Sequence, residues 1–112
     1  MSFNLNNKTF RLVQNSIAGS ANKDTIFKYK QSDDIVTAVY SGGDIKHGNI
    51  CGTIDNKILN ILYQCITING ELKAGKAKGV ISLAENSKLM LSLNWQWLTQ
   101  KQDNGTSVYI EI

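Results

Sequence analysis

The sequence has no proline, one histidine (His47) and one arginine (Arg11) among its 112 residues. Without proline, no position lacks the backbone N–H that a β-ladder needs. With one histidine, neither a histidine relay nor a multi-histidine metal site can form, and we expect His47 to be a solvated strand or turn residue. Arginine favours base reading and bidentate phosphate contacts, so its scarcity argues against a nucleic-acid partner.

Cysteines and long apolar runs are also few. Cys51 and Cys65 form no C-x-x-C pair, so no zinc or thioredoxin-like site and no cofactor is predicted. No run approaches the roughly 18 apolar residues of a membrane-spanning helix. The first ten residues, MSFNLNNKTF, lack the apolar core of a signal peptide. We therefore expect no membrane partner, a cytoplasmic location and two free, buried thiols.

What the sequence has instead is an alternation of apolar and polar residues, which is typical of half-buried strands. In KLMLSLNWQWL, period two puts five large apolar residues on one face, namely Leu89, Leu91, Leu93, Trp95 and Trp97. TIFKYKQ similarly groups Thr25, Phe27, Tyr29 and Gln31. In TSVYIEI, apolarity predicts that Val108, Ile110 and Ile112 point inward, and that Tyr109 and Glu111 point outward.

Turn residues separate eight such runs, at about 8–15, 25–31, 35–41, 44–54, 57–67, 71–83, 88–98 and 106–112. Asn69-Gly70 and Asn104-Gly105 are predicted tight turns, and Asn15–Asp24 is a longer loop or lid. Short connections favour antiparallel neighbours. We predict an all-β single domain, residues 1–112: an up-and-down meander of about eight strands, closed or nearly closed into a small barrel like those of lipocalins and avidins. The alternative is an open, twisted sheet.

One phrase occurs twice, as GDIKHGNICGTI from Gly43 and GELKAGKAKGVI from Gly70. Its spaced glycines lie inside strand patterns, where glycine marks a bulge, a bend or the close approach of a packed aromatic. We interpret them as bends that curl successive hairpins. A phosphate cradle would need a helix after the glycines, and no helix pattern follows either copy.

Several motifs together resemble a small bacterial family of chains of about this length. They are FRLVQNS (10–16), TIFKYKQ (25–31), YSGGDIKHGNICG (40–52), NGELKAGKAKG (69–79) and WQW (95–97). The resemblance implies a shared fold. Some members carry the name N-acetylglutamate synthase, which would imply an N-acetyltransferase. That chemistry needs a [QR]-x-x-G-x-[GA] loop before a helix, whereas KAGKAKG (73–79) lacks the leading residue and runs into a strand pattern.

The aromatic residues are the best candidates for a site. Barrel sites are apolar and aromatic with a few polar groups. The candidate ligand-binding residues are Trp95, Trp97, Tyr29, Phe27, Tyr40 and Tyr63, with Arg11 stacking on an aromatic at the mouth and Gln31 as a polar group. The alternative is that these rings only fill the core. The acids fall in or near turns and predict no catalytic pair.

Three functions follow from this sequence, in decreasing order. The first is a non-enzymatic module that binds a small apolar or aromatic ligand inside the barrel. The second is a structural or protein-interaction module with a filled core, with a homodimer as one form. The third is the N-acetyltransferase.

Overall fold

A computed structural model describes residues 3–15, 22–99 and 103–112. Within these ranges the strands are β1 (Lys8–Asn15), β2 (Ile26–Ser32), β3 (Ile35–Gly42), β4 (Ile45–Asp55), β5 (Ile58–Thr67), β6 (Leu72–Leu83), β7 (Leu89–Trp97) and β8 (Asn104–Glu111). Each strand pairs antiparallel with the next, and β8 returns to pair with β1. The predicted up-and-down barrel is confirmed in its closed form, so the open-sheet alternative is wrong. None of the described residues forms a helix with the length and hydropathy that a membrane crossing requires.

The inner face of β7 follows the predicted alternation. Its five large apolar residues are buried, and Asn94 and Gln96 between them are exposed. Five apolar side chains at period two form one ridge on a strand and would scatter around a helix. Burial of that ridge inside the barrel is therefore the main local reason for the strand.

The predicted phase of β8 is wrong. Tyr109 is buried, with 8% of its surface exposed, while Val108 and Ile110 are half-buried on the opposite face. The cause is the pairing with β7, where Tyr109 lies opposite the buried Leu91. Directly opposed residues of an antiparallel pair share a face. The neighbouring strand thus overrides the apolarity of Val108 and Ile110.

Two turn predictions have different outcomes. Asn69-Gly70 forms a turn in which Gly70 has a φ of +83°. Asn104-Gly105 is not a turn, because Asn104 begins β8 and pairs with Gln96. The predicted lid at Asn15–Asp24 falls largely outside the described residues, since only Asn15 and 22–24 are described.

The two ends of the barrel differ. At the lower end, where β2 meets β3, the segment 3–7 crosses the opening, and Leu5 is fully buried. Its backbone N–H donates to Oε1 of Gln31 at 2.9 Å. Nearby, Glu111 pairs with Lys8 at 3.3 Å and accepts a hydrogen bond from the backbone of Leu89. The lower end is therefore closed, and the upper end is the one where Asn15, Gly42, Thr67 and Trp97 end their strands.

The repeated phrase has a packing role. A Cβ at Gly48 would lie 2.3 Å from Cζ of Tyr40, and one at Gly75 would lie 2.5 Å from Cζ of Tyr63. Both glycines pair in regular register with their neighbouring strands. The bulge interpretation is therefore wrong at these two positions, and bending stays a prediction. Each hairpin repeats the phrase because each lays a tyrosine ring over a glycine.

Replacing Gly48 with alanine should destabilise the barrel by about 1–3 kcal/mol, because the new methyl group overlaps the Tyr40 ring. Urea unfolding measures this loss, with Thr53→Ala on the outer face of the same strand as the control. In a Tyr40→Leu background the cost of Gly48→Ala should shrink. An unchanged cost there would contradict the proposed ring-on-glycine contact.

Candidate functional site

The upper half of the barrel encloses a cavity of about 50 Å³ that is lined mostly by aromatic rings. The rings are Phe27, Tyr29, Tyr40, Tyr63, Trp95, Trp97 and Tyr109. Aliphatic side chains from β4, β5 and β7 complete the apolar wall, and Asn15 and Ser107 are polar members of the lining. The inner residues of several strands thus converge at the end opposite the Leu5 plug.

The rings pack against one another in two groups. Phe27 stacks on Tyr40 with centroids 4.7 Å apart, and the edge of Tyr109 meets Phe27 at 5.0 Å. On the other side, Tyr63 and Trp97 meet edge to face at 5.4 Å, and Trp97 lies 6.1 Å from Trp95. Aromatic pairs at these distances attract beyond their buried area. The wall is therefore held in place ring by ring.

A short hydrogen-bonded chain forms the polar part of the cavity. Nε1 of Trp95 donates to Oγ of Ser107 at 2.6 Å, and that hydroxyl donates to Oδ1 of Asn15 at 2.5 Å. The Tyr109 hydroxyl also hydrogen-bonds to Ser107. The chain joins β1, β7 and β8 at the seam where the barrel closes. It fixes the Trp95 ring and presents polar atoms to anything in the cavity.

The titratable groups of the cavity are neutral near pH 7. Burial raises the pKa of all four tyrosines, that of Tyr109 to about 12. Burial also raises the pKa of the Cys65 thiol, an effect that nearby Lys73 opposes. Neutral hydroxyls and a protonated thiol donate and accept hydrogen bonds but are poor bases and nucleophiles. The cavity is suited to binding rather than to acid–base chemistry.

Six of the eight candidate residues line this cavity, namely Trp95, Trp97, Tyr29, Phe27, Tyr40 and Tyr63. Arg11 and Gln31 do not. Arg11 is exposed on the outer face of β1, and the cation over an aromatic ring at the mouth is instead Lys73, 4.2 Å from the Trp97 centroid. Gln31 lies at the lower end, where it binds the backbones of Leu5 and Asp33.

The prediction missed four residues of this region: Asn15, Lys73, Ser107 and Tyr109. Tyr109 and Ser107 were missed because β8 was placed in the wrong phase. Asn15 hydrogen-bonds to a residue 92 positions away, and no local pattern signals that contact. Lys73 could have been found, since it lies two residues before Gly75 on the same face of β6.

The other candidates for chemistry lie outside the cavity. His47 is exposed on β4. Both cysteines are free, as predicted, but Cys51 is exposed on the outer face and only Cys65 is buried, so the predicted burial of Cys51 is wrong. Lys73–Gly79 forms part of β6 rather than a loop before a helix, as an acetyltransferase would need. Over the described ranges, no three His, Cys, Asp or Glu side chains group to hold a metal ion.

A larger groove lies on the outer wall. It has a volume of about 820 Å³ and crosses β4 to β8. Its lining includes the apolar Leu62 and Cys51, the cations Lys76 and Lys78, and amides such as Asn94. Leu62 is 61% exposed, and the cross-strand neighbours Ile66 and Leu72 nearby are 40% and 68% exposed. The outer wall is thus a second candidate surface.

Comparison with known families matches residues 3–112 to a family described as avidin-like protein. The chain belongs to the avidin-like family. Among solved structures, it resembles the crystal structure of apo shwanavidin (P1 form), with a TM-score of 0.66 over the full length of both chains. The sequence identity is 9%, so this likeness concerns the fold alone. A comparison with curated proteins finds no match.

Because the tyrosines lie inside the avidin-like barrel, the folded protein should resist their ionisation. An absorbance titration should detect little tyrosinate between about pH 9 and pH 11, whereas the urea-unfolded chain should titrate near pH 10. The unfolded state alone then loses these protons, so stability should fall as the pH rises above about 10. Tyrosinate that forms near pH 10 while the barrel stays folded would contradict the burial of these rings.

Proposed function

We propose that this avidin-like protein binds a compact, largely apolar ligand in the upper half of its barrel without converting it. The observation that carries the proposal is the convergence of seven aromatic rings and one polar chain on a single cavity. Such a lining matches the composition of small-molecule sites, which are apolar walls with a few placed polar groups. The Leu5 plug at the lower end leaves the upper end as the route of entry.

The size of the cavity limits the ligand. A buried water needs about 10–15 Å³ of such space, and sites for drug-sized ligands span roughly 300–1,000 Å³. At about 50 Å³ the cavity accepts a ligand of a few heavy atoms unless a ring moves. Tyr63 is the half-buried ring of the wall, so it is the one we expect to move for a larger ligand.

The polar chain sets a second requirement. Ser107 already accepts from Trp95 and donates to Asn15. A ligand that contributes a carbonyl or hydroxyl can join the tyrosine hydroxyls, whereas a purely apolar ligand would remove them from water without replacing that contact. We therefore expect a ligand with a flat apolar body and at least one polar group.

Tryptophan fluorescence tests this proposal, since both tryptophans line the cavity. Indole, benzamide and biotin serve as probes, biotin because avidins bind it. We expect a saturable change with the two compact probes and weaker binding of biotin. Tyr63→Ala should strengthen biotin binding by enlarging the site, whereas Leu62→Ala, its outer-face neighbour, should not. Absence of any saturable change with all three probes, in both wild type and Tyr63→Ala, would contradict the proposal.

A second candidate function, a protein-interaction module, draws support from the outer wall. The exposed Leu62, Ile66 and Leu72 lie on the outer face of β5 and β6, and the groove beside them crosses five strands. Apolar groups exposed together favour association. A homodimer through this face would bring Lys76 and Lys78 of two copies together, and like charges oppose that arrangement.

Native mass spectrometry distinguishes the dimer from the monomer. Because of the like charges, we expect a monomer mass at micromolar concentration. A mass twice that of the monomer, reduced to the monomer by Leu62→Ser with Leu72→Ser, would favour the interaction module. Val13→Ser, an exposed apolar position on β1, is the matched control and should leave the mass unchanged.

A further inference from the structure

We infer that Lys73 selects an anionic ligand: the aromatic cavity takes the flat body, and the Lys73 ammonium binds a carboxylate at the mouth. This inference rests on the proposed function, because it assigns the chemical class of the ligand for the same cavity. It depends on the position of one charged side chain relative to the barrel wall.

Lys73 lies on the inner face of β6. Gly75, Ala77, Gly79 and Ile81 follow it at every second position and are buried. In the pairing with β5, Lys73 lies opposite Cys65, which is also buried. Since residues two apart on a strand and directly opposed residues on neighbouring strands share a face, the Lys73 side chain starts from the lumen side.

A charge on the inner wall is unusual in this barrel. Among the described residues, the other charged pair on inner positions is Lys8 and Glu111, which bind each other at the lower end. The next lysines along β6, Lys76 and Lys78, are exposed on the outer face. Lys73 is half-buried. Burying part of a lysine costs free energy unless its ammonium gains partners, so a charge here calls for a reason beyond solubility.

The ammonium lies where a ligand would enter. Its Nζ is 4.2 Å from the centroid of the Trp97 ring, and Trp97 lines the cavity and contacts Tyr63. The cation–π contact holds the charge beside the ring without neutralising it. Its field reaches the inner wall, since Lys73 favours the thiolate of Cys65. A flat ligand against Trp97 could therefore place a carboxylate within reach of Lys73.

An aromatic or apolar acid combines the two features of this mouth. The ring or chain replaces water against the aromatic wall, and the carboxylate accepts charge-assisted hydrogen bonds from the ammonium. The nearest acid along the strand is Glu71, which is exposed on the preceding turn and also acts on Cys65. It disfavours an anion, so its removal should strengthen the binding of an acid. A neutral ligand should not respond to either charge.

Benzoate and benzamide are matched probes for this inference, because they share a ring and differ in charge. Calorimetric titration at low salt should give the wild type a preference for benzoate of about tenfold. Lys73→Met should remove that preference while leaving benzamide binding unchanged, and Lys73→Arg should keep it. Lys76→Met, which removes a lysine from the outer face of the same strand, is the control and should change neither. Glu71→Gln should favour benzoate further.

The possible failures are distinct. Equal binding of the two probes by the wild type, or a preference that persists in Lys73→Met, would overturn the role of Lys73 and leave ligand binding in the lumen intact. Lys73 would then serve only to cover Trp97, and Lys73→Met would lower thermal stability without changing selectivity. Failure of both probes to bind any variant would overturn this inference and the proposed function together.

Discussion

The pairing of β1 with β8 is the constraint on which the rest of this molecule depends. It removes both edges of the sheet and turns one face of every strand toward a common interior. An eight-stranded barrel has an interior that side chains can fill or that can hold one small ligand. Which of the two occurs depends on the residues at the inner positions. The fold therefore leaves the function to a limited set of side chains.

Those inner positions divide the barrel into two halves. The lower half is filled by side chains with no polar atoms, such as Phe10, Leu59 and Leu91, and is plugged by Leu5. The upper half has tyrosines and tryptophans, whose rings fill space and whose polar atoms need partners. Glycines under Tyr40 and Tyr63 let these rings lie against the wall. The upper half is thus apolar, hydrogen-bonding and only just short of full.

Local pattern predicts much of this arrangement. Period-two alternation is enough to locate the strands and the buried face of β7, and six aromatic candidates line the cavity because their strands were given the correct phase. The errors have one cause. The phase of β8 depends on its register with β7, and the position of Arg11 depends on which face of β1 turns inward. Register and closure are non-local, so residues such as Tyr109 and Asn15 could not be placed from their neighbours in sequence.

Lys73 illustrates a different difficulty. Its alternation with Gly75 and Ala77 places it on the inner face, but a lysine is ordinarily expected outside. The pattern and the residue type disagree, and such disagreements concentrate at functional sites. The same reasoning separates the lumen from the outer groove, where lysines and amides occupy the positions that solvent-exposed strands normally give them.

The measurement that tests this account most directly is an NMR titration of the labelled protein with indole, following side-chain N–H resonances. The account predicts saturable shifts of the Trp95 and Trp97 indole N–H signals, with the side-chain amides of Asn94 and Gln96 unchanged. Shifts of those outer-wall amides with both indole signals unmoved would contradict it, and would assign binding to the outer groove.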